Sequence, residues 1–129
     1  MAGELETVVR EIFANVDRKD SDAILSAMDE DVQGVDEISR RWLRGRDAVD
    51  EHWRVGLAAV ADIRTELRDF SETTIGDVGI VTYWGEQDYT LEGNAQHVSA
   101  PMTTVLHRRG DVWKMVLFHS IPLPEDEAQ

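Results

Sequence analysis

The sequence predicts an α+β domain in which three helices from its first half pack on one face of a curved antiparallel sheet built by its second half. Three observations carry this prediction. Apolar residues recur at helical spacing up to Val60, and they alternate with a period of two beyond Ala61. No Pro-, Gly- or Ser-rich stretch separates the halves, and 129 residues suit one compact domain spanning residues 1–129.

Leu5, Val8, Val9, Ile12, Phe13 and Val16 form a single stripe on the first helix. Asp17-Arg18-Lys19-Asp20-Ser21 interrupts it. Asp20 or Ser21 can accept from the free N–H groups of a second helix, Asp22 to about Met28, whose inner face is Ala23, Ile24, Ala27 and Met28. The segment from Asp29 to Arg44 shows no clear period and is expected to be irregular. A third helix follows Gly45, with Val49, Trp53, Gly56, Leu57 and Val60 at helical spacing.

Ile63, Thr65 and Leu67 then alternate with Arg64, Glu66 and Arg68, the pattern of a strand with one buried and one wet face. Val78 to Leu91 is a second strand, and Leu91-Glu92-Gly93-Asn94 is a turn that returns Ala95 to Arg109 antiparallel. Arg109-Gly110-Asp111 turns the chain into a last strand, Val112 to Ser120. Pro122 and Pro124 end it, and Glu125-Asp126-Glu127 reads as a frayed acidic tail. The last strands are apolar on both alternating faces, with Val116 and Phe118 on one and Trp113, Met115 and Leu117 on the other. Helices cover one face only, so a homodimer through the outer sheet face is expected to cover the second.

Charge and composition exclude several functions. The 13 basic against 26 acidic residues give a net charge of −13, which argues against nucleic acid and anionic membrane surfaces as partners. There is no cysteine, which removes disulfides, thiolate catalysis and Cys-based zinc sites. His52, His97, His107 and His119 do not fall at metal-ligand spacing, so no metal is expected. Neither a G-x-S-x-G elbow nor a glycine-rich phosphate loop occurs, and no cofactor is expected. Met1-Ala2-Gly3-Glu4 does not open a signal peptide and no apolar run nears the ~20 residues of a membrane span, so the expected location is cytoplasmic.

Three stretches resemble a known family. They are Asp20-Ser21-Asp22-Ala23-Ile24 through Met28-Asp29-Glu30-Asp31-Val32, then Gly45-Arg46-Asp47-Ala48-Val49, and finally His107 to Met115 with Val116, Phe118-His119-Ser120 and Pro122. In order and spacing they resemble the nuclear transport factor 2-like superfamily, in its SnoaL-like branch near the association domain of a calmodulin-dependent kinase and more distantly ketosteroid isomerase. The resemblance implies a cone-shaped half barrel enclosing a pocket, usually within a homodimer. Such a fold hosts many chemistries, so function has to be read from the pocket.

Asp36 falls near the catalytic aspartate of the isomerases. The resemblance gives it the role of a general base that takes a proton from carbon beside a carbonyl. The competing reading is a surface acid in a loop that also holds Glu37, Arg40 and Arg41. The isomerase's oxyanion donors match Ile12 and either Thr103 or Thr104, which disfavours steroid isomerisation by that mechanism. Pocket arginines of the kinase association domain match Thr82, Thr104 and Ser120, which favours a neutral or weakly polar ligand. Alternation from those positions predicts a lining of Ile80, Thr82 and Trp84, of Met102, Thr104 and Leu106, and of Val116, Phe118 and Ser120. Phe13 and Trp53 would supply helical walls and Trp42 would close the mouth. By the same parity His119 faces away, toward the dimer side, with an acid–base pairing to Asp36 as its other reading.

Aromatics with a few hydroxyls suit a small, largely apolar molecule, although the same residues also suit a filled core. The leading expectation is a homodimeric domain that binds such a metabolite. The alternatives are an isomerase, cyclase or dehydratase with Asp36 as base and Trp42 or Thr104 orienting a carbonyl, and an assembly or regulatory domain with a vestigial pocket.

Overall fold

The computed structural model describes residues 3–36, 39–120 and 122; Pro124 and the acidic tail expected at Glu125-Asp126-Glu127 lie outside them. Helices α1 (Glu4–Asp17) and α2 (Ser21–Ser26) are followed by strands β1 (Met28–Val35) and β2 (Leu43–Arg44), then helix α3 (Arg46–Ala59). Four long strands complete the chain: β3 (Val60–Ile75), β4 (Val78–Leu91), β5 (Asn94–Arg109) and β6 (Val112–Ser120). They form one open six-stranded sheet in the order β2-β1-β6-β5-β4-β3, so the α+β architecture is as expected. Among the described residues no helix is long and apolar enough to cross a membrane.

The helices follow their periodicity. Leu5, Val9, Ile12 and Val16 are buried along one stripe of α1. Asp20 caps α2 by accepting from Ala23 N at 3.1 Å. Against these stripes the sheet sets Val81, Met102, Leu106 and Met115, and together they make the core. Asp17, at the end of α1, accepts from both the backbone N–H (3.0 Å) and the hydroxyl (2.7 Å) of Thr65, which ties the helix to β3. Asp62 and Asp69 adopt left-handed φ values of 53° and 61°, where the β3–β4 register shifts. Bulges of this kind bend a strand, and here they help give the sheet its curvature.

Residues 28–35, expected to be irregular, are a strand. Met115 N donates to Ala27 O at 2.7 Å, and from Met28 onward the chain runs parallel to β6. That capture ends α2 at Ser26 instead of near Met28, and makes one junction of the otherwise antiparallel sheet parallel. Asp29, Glu30 and Asp31 have little strand propensity, so tertiary pairing overrides local preference here.

Two local devices fix β1. At its start, the side chain of Asp29 is 1% exposed and accepts from Arg109 Nε (2.9 Å) and Nη2 (3.1 Å), with His107 Nδ1 at 3.3 Å. The guanidinium of Arg109 is the main reason this carboxyl is held well below the ordinary carboxylate range; burial opposes it, and hydrogen bonds from the Asp31 N–H and His107 assist. Near the end of β1, Gly34 lies opposite Phe118, and a methyl group at Gly34 would run into the Phe118 ring.

Both devices have measurable consequences. Asp29→Asn should lower stability at neutral pH by on the order of 2 kcal/mol, the worth of charge-assisted hydrogen bonds. Because the folded-state pKa is depressed, that contribution is present above the unfolded value near ~4 and is lost as pH falls below it. Denaturant melts of wild type and variant should therefore converge on acidification. Gly34→Ala should cost about 1–3 kcal/mol by forcing Phe118 aside, read from the same melts.

Candidate functional site

Between the helices and the concave sheet face lies a cavity of about 140 Å³. Val9, Ile12, Phe13 and Val16 of α1 form one wall, and His52, Trp53, Gly56 and Leu57 of α3 a second. The sheet contributes Tyr83, Gln87 and Tyr89, then Val98, Met102 and Thr104, then Met115, Phe118 and Ser120, with Asp36 just past the end of β1. Seven residues expected at a site are therefore brought together: Asp36, Phe13, Trp53, Met102, Thr104, Phe118 and Ser120. The aromatic rings do not fill the cone, although Trp53 and Phe118 pack edge to face at 5.5 Å.

Six expected lining residues lie elsewhere, and register explains most of them. Leu91 opposite Asn94 sets Tyr83 opposite Met102 and Val81 opposite Thr104. With Met102 and Thr104 inward, the odd residues of β4 must face inward, so Ile80, Thr82 and Trp84 face out. Trp84 is held there by donating Nε1–H to Ser99 Oγ at 3.1 Å and to Glu86. Burial alone would raise the Glu86 carboxyl, but hydrogen bonds from Arg68, Trp84, Ser99 and His97 together outweigh it and hold the group down at about 2.

Along β6 a bulge changes parity. Leu106 pairs with Met115 but Val105 pairs with Leu117, so Val116 is the extra residue and lies off the cavity. Trp113 and Met115 face inward before the bulge and Phe118 and Ser120 after it, which corrects the expected division of that strand into two faces. Leu106 points inward but is fully buried in the core beyond the cavity wall. Trp42 is 47% exposed and does not line the cavity; it stacks on His119 at 6.4 Å. His119 itself borders the cavity, contrary to the expectation that it faces away.

The chemistry concentrates at Asp36 and His52. His52 Nε2 lies 3.0 Å from Asp36 Oδ2, and both side chains are only 18% exposed. Asp36 Oδ1 accepts from Ser39 N at 2.8 Å. When His52 donates from Nε2 to this carboxylate, Nδ1 is the ring nitrogen left for a further contact. Among the described residues no hydrogen bond reaches that Nδ1. His52 was missing from the expected site, yet it lies three residues after Val49 and four before Gly56, on the edge of the α3 inner stripe.

Opposite chemistry is found deeper in. Tyr83 Oη and Thr104 Oγ1 are 2.7 Å apart, and burial raises the Tyr83 phenol to about 12. Phe70 stacks on the Tyr83 ring at 5.1 Å. Gln87 donates to Thr65 Oγ1 at 3.0 Å. No group of three or more His, Cys, Asp or Glu side chains among the described residues is placed to hold a metal.

Comparison with known proteins agrees with the fold. The model of the SnoaL-like domain matches residues 5–124, nearly the whole chain. The chain belongs to the SnoaL-like family. Solved structures similar to this SnoaL-like domain include a candidate dehydratase of the NTF2-like family from Streptomyces avermitilis, at TM-score 0.86 and 18% identity over 94% of this chain and 95% of that one. A candidate calcium/calmodulin-dependent protein kinase type II association domain from Thiobacillus denitrificans gives 0.76 and 24%, over 92% and 94% of the two chains. A ketosteroid isomerase-like protein from Erwinia carotovora atroseptica gives 0.78 and 16%, over 92% and 93%. At these identities the likeness shows the shared fold. No curated protein matches the sequence.

One buried donor in the site is unsatisfied. Trp53 Nε1 has no hydrogen-bond partner among the described residues. An unpaired buried donor costs about 1–3 kcal/mol, which offsets much of what the indole gains by packing. Trp53→Phe should therefore change unfolding free energy by less than about 1 kcal/mol, well short of the ~3–5 kcal/mol of aromatic truncation to alanine. Urea melts of the two proteins check this.

Proposed function

We propose that this SnoaL-like domain is an acid–base enzyme of the isomerase, dehydratase or cyclase kind, acting on a small, largely apolar molecule in the cone cavity. The observation that carries the reading is the Asp36–His52 pair on the wall of an otherwise mostly apolar cavity. Asp36 holds the ring through Nε2, and Nδ1 is the atom that takes a proton from substrate carbon; Asp36 acts as the positioning residue and not as the base itself. A purely structural ion pair needs no cavity beside it, and a passive binding module needs no oriented imidazole. The cavity is close in size to the ~150 Å³ void that accepts benzene in an engineered apolar core, so a single ring with short substituents is the expected scale of substrate.

The reading is tested with acetophenone in D₂O, following exchange of its methyl protons by NMR. Wild type should accelerate exchange, and His52→Ala should lower the accelerated rate by about 10²-fold or more, the usual contribution of a general base. Asp36→Asn should lower it as well, while leaving the melting temperature of the fold nearly unchanged. Acceleration that survives His52→Ala would remove the role given to this pair.

We further propose that the protein works as a cytoplasmic homodimer joined through the outer sheet face. Ile80, Val105 and Leu117 are direct neighbours across β4, β5 and β6 and lie outside the core cluster, so they form an apolar row on that face. Light scattering should give twice the chain mass, and Val105→Asp should return it to the monomer value.

A further inference from the structure

A chain of three polar side chains ends at the cavity wall with one acceptor left over. Asp17, in the last turn of α1, lies 2.7 Å from the Thr65 hydroxyl. A carboxylate only accepts, so the hydroxyl is the donor and its one proton is committed to Asp17. The Thr65 oxygen can then only accept from its other neighbour, Gln87 Nε2, which lies 3.0 Å away across the β3–β4 ladder. This settles the orientation of the amide: its NH₂ arm meets Thr65, and Oε1 is the arm turned from it. Gln87 lines the cavity, and among the described residues no donor reaches Oε1.

Nothing in the fold requires a glutamine here. The ladder already joins β3 to β4, and Asp17 ties Thr65 to α1 without help from Gln87. Val98 lies opposite Gln87 on β5, and Val60 and Ile63 line the cavity from β3, so an aliphatic side chain would suit the same wall. No arginine or lysine lines the cavity among the described residues, so no charged donor is at hand for Oε1. The sheet order sets β6 and β5 between β1 and β4, which puts this acceptor and the Asp36–His52 pair on different sides of the cavity.

We infer that Gln87 is a subsite for one hydroxyl donor on the ligand, of the phenol or alcohol class, with Thr65 and Asp17 setting which arm of its amide meets the ligand. The inference deepens the acid–base reading by giving the substrate a hydroxyl on the side remote from the carbon that loses its proton. It rests on that reading for what is done to the ligand, but not for binding. An ether or ketone oxygen at the same place is rejected, because two acceptors then face each other with no proton between them. Apolar walls discriminate weakly between ligands of one shape, whereas an oriented polar group left unpaired discriminates strongly.

The experiment titrates phenol, anisole and toluene into the protein by calorimetry at neutral pH. The three share one ring and carry a donor, an acceptor alone, and neither. Wild type should bind phenol about tenfold tighter than anisole, the worth of about one hydrogen bond. Gln87→Met keeps the reach of the side chain without the acceptor; it should weaken phenol about tenfold while toluene holds or tightens. Thr65→Val frees the amide to turn its NH₂ arm toward an ether oxygen, so the preference for phenol over anisole should shrink. Phenol no tighter than anisole in wild type, parallel loss of all three ligands in Gln87→Met, a full preference kept in Thr65→Val, or no binding to wild type would each overturn the inference. Should Thr65→Val, which loses a tie to α1, fail to fold, the wild-type ranking and Gln87→Met still decide. If phenol is preferred but acetophenone exchanges no deuterium, the hydroxyl subsite stands and the acid–base reading fails. If exchange is accelerated and phenol is not preferred, the acid–base reading stands and the subsite fails.

Discussion

The parallel seam between β1 and β6 is the constraint on which the rest of the structure depends. Parallel strands need a long crossover connection, and the chain from β2 through α3 and strands β3 to β5 provides it. Once Met28 is set beside Met115, β1 is carried along β6 to His119, and its end delivers Asp36 to the cavity wall. Gly34 gives Phe118 room at that point, and β2 pairs back on β1 to send the chain into α3. His52 then arrives from the opposite side. An acid and an imidazole sixteen residues apart meet at 3.0 Å because a strand neither of them belongs to has fixed both approaches.

How much of this was legible follows from which signals are local. The stripes of α1 and α3 and the two hairpin turns are written in short-range periodicity, and the structure repeats them. β1 was not legible, because its acids carry no strand preference and its partner lies some eighty residues away. The inward residues of β5 were readable from alternation, and the turn at Leu91 to Asn94 then dictated Tyr83 and Val81 as their partners, so the outward placement of Ile80, Thr82 and Trp84 was implicit in the turn. The bulge at Val116 was not implicit in anything local. It makes Phe118 and Ser120 cavity residues while Trp113 and Met115, which alternation puts on the opposite face, also point inward. His52 was open to view on the helical wheel; its meeting with Asp36 depended on the unreadable strand.

Polar groups in the cavity are arranged so that most satisfy one another. Asp36 is bonded by Ser39 and His52, Tyr83 by Thr104, and Gln87 by Thr65. Two of these pairs leave a remainder, the Nδ1 of His52 and an O–H on Tyr83 or Thr104, and the third leaves the Oε1 of Gln87. In surroundings of low dielectric a hydrogen bond made to such a remainder is stronger than the same bond in water. The outer face works differently. There Glu86 gathers Arg68, Trp84, Ser99 and His97 into a surface network whose members are already engaged.

The exposed margin of the sheet is the sixteen-residue strand β3, long enough to template another copy edge to edge. Its outward side chains include Arg64, Glu66 and Arg68, and its two aspartate bulges break the ladder into short runs. A charged, kinked margin is a poor surface for zippering. Growth of one molecule onto the next into a fibre is thereby discouraged.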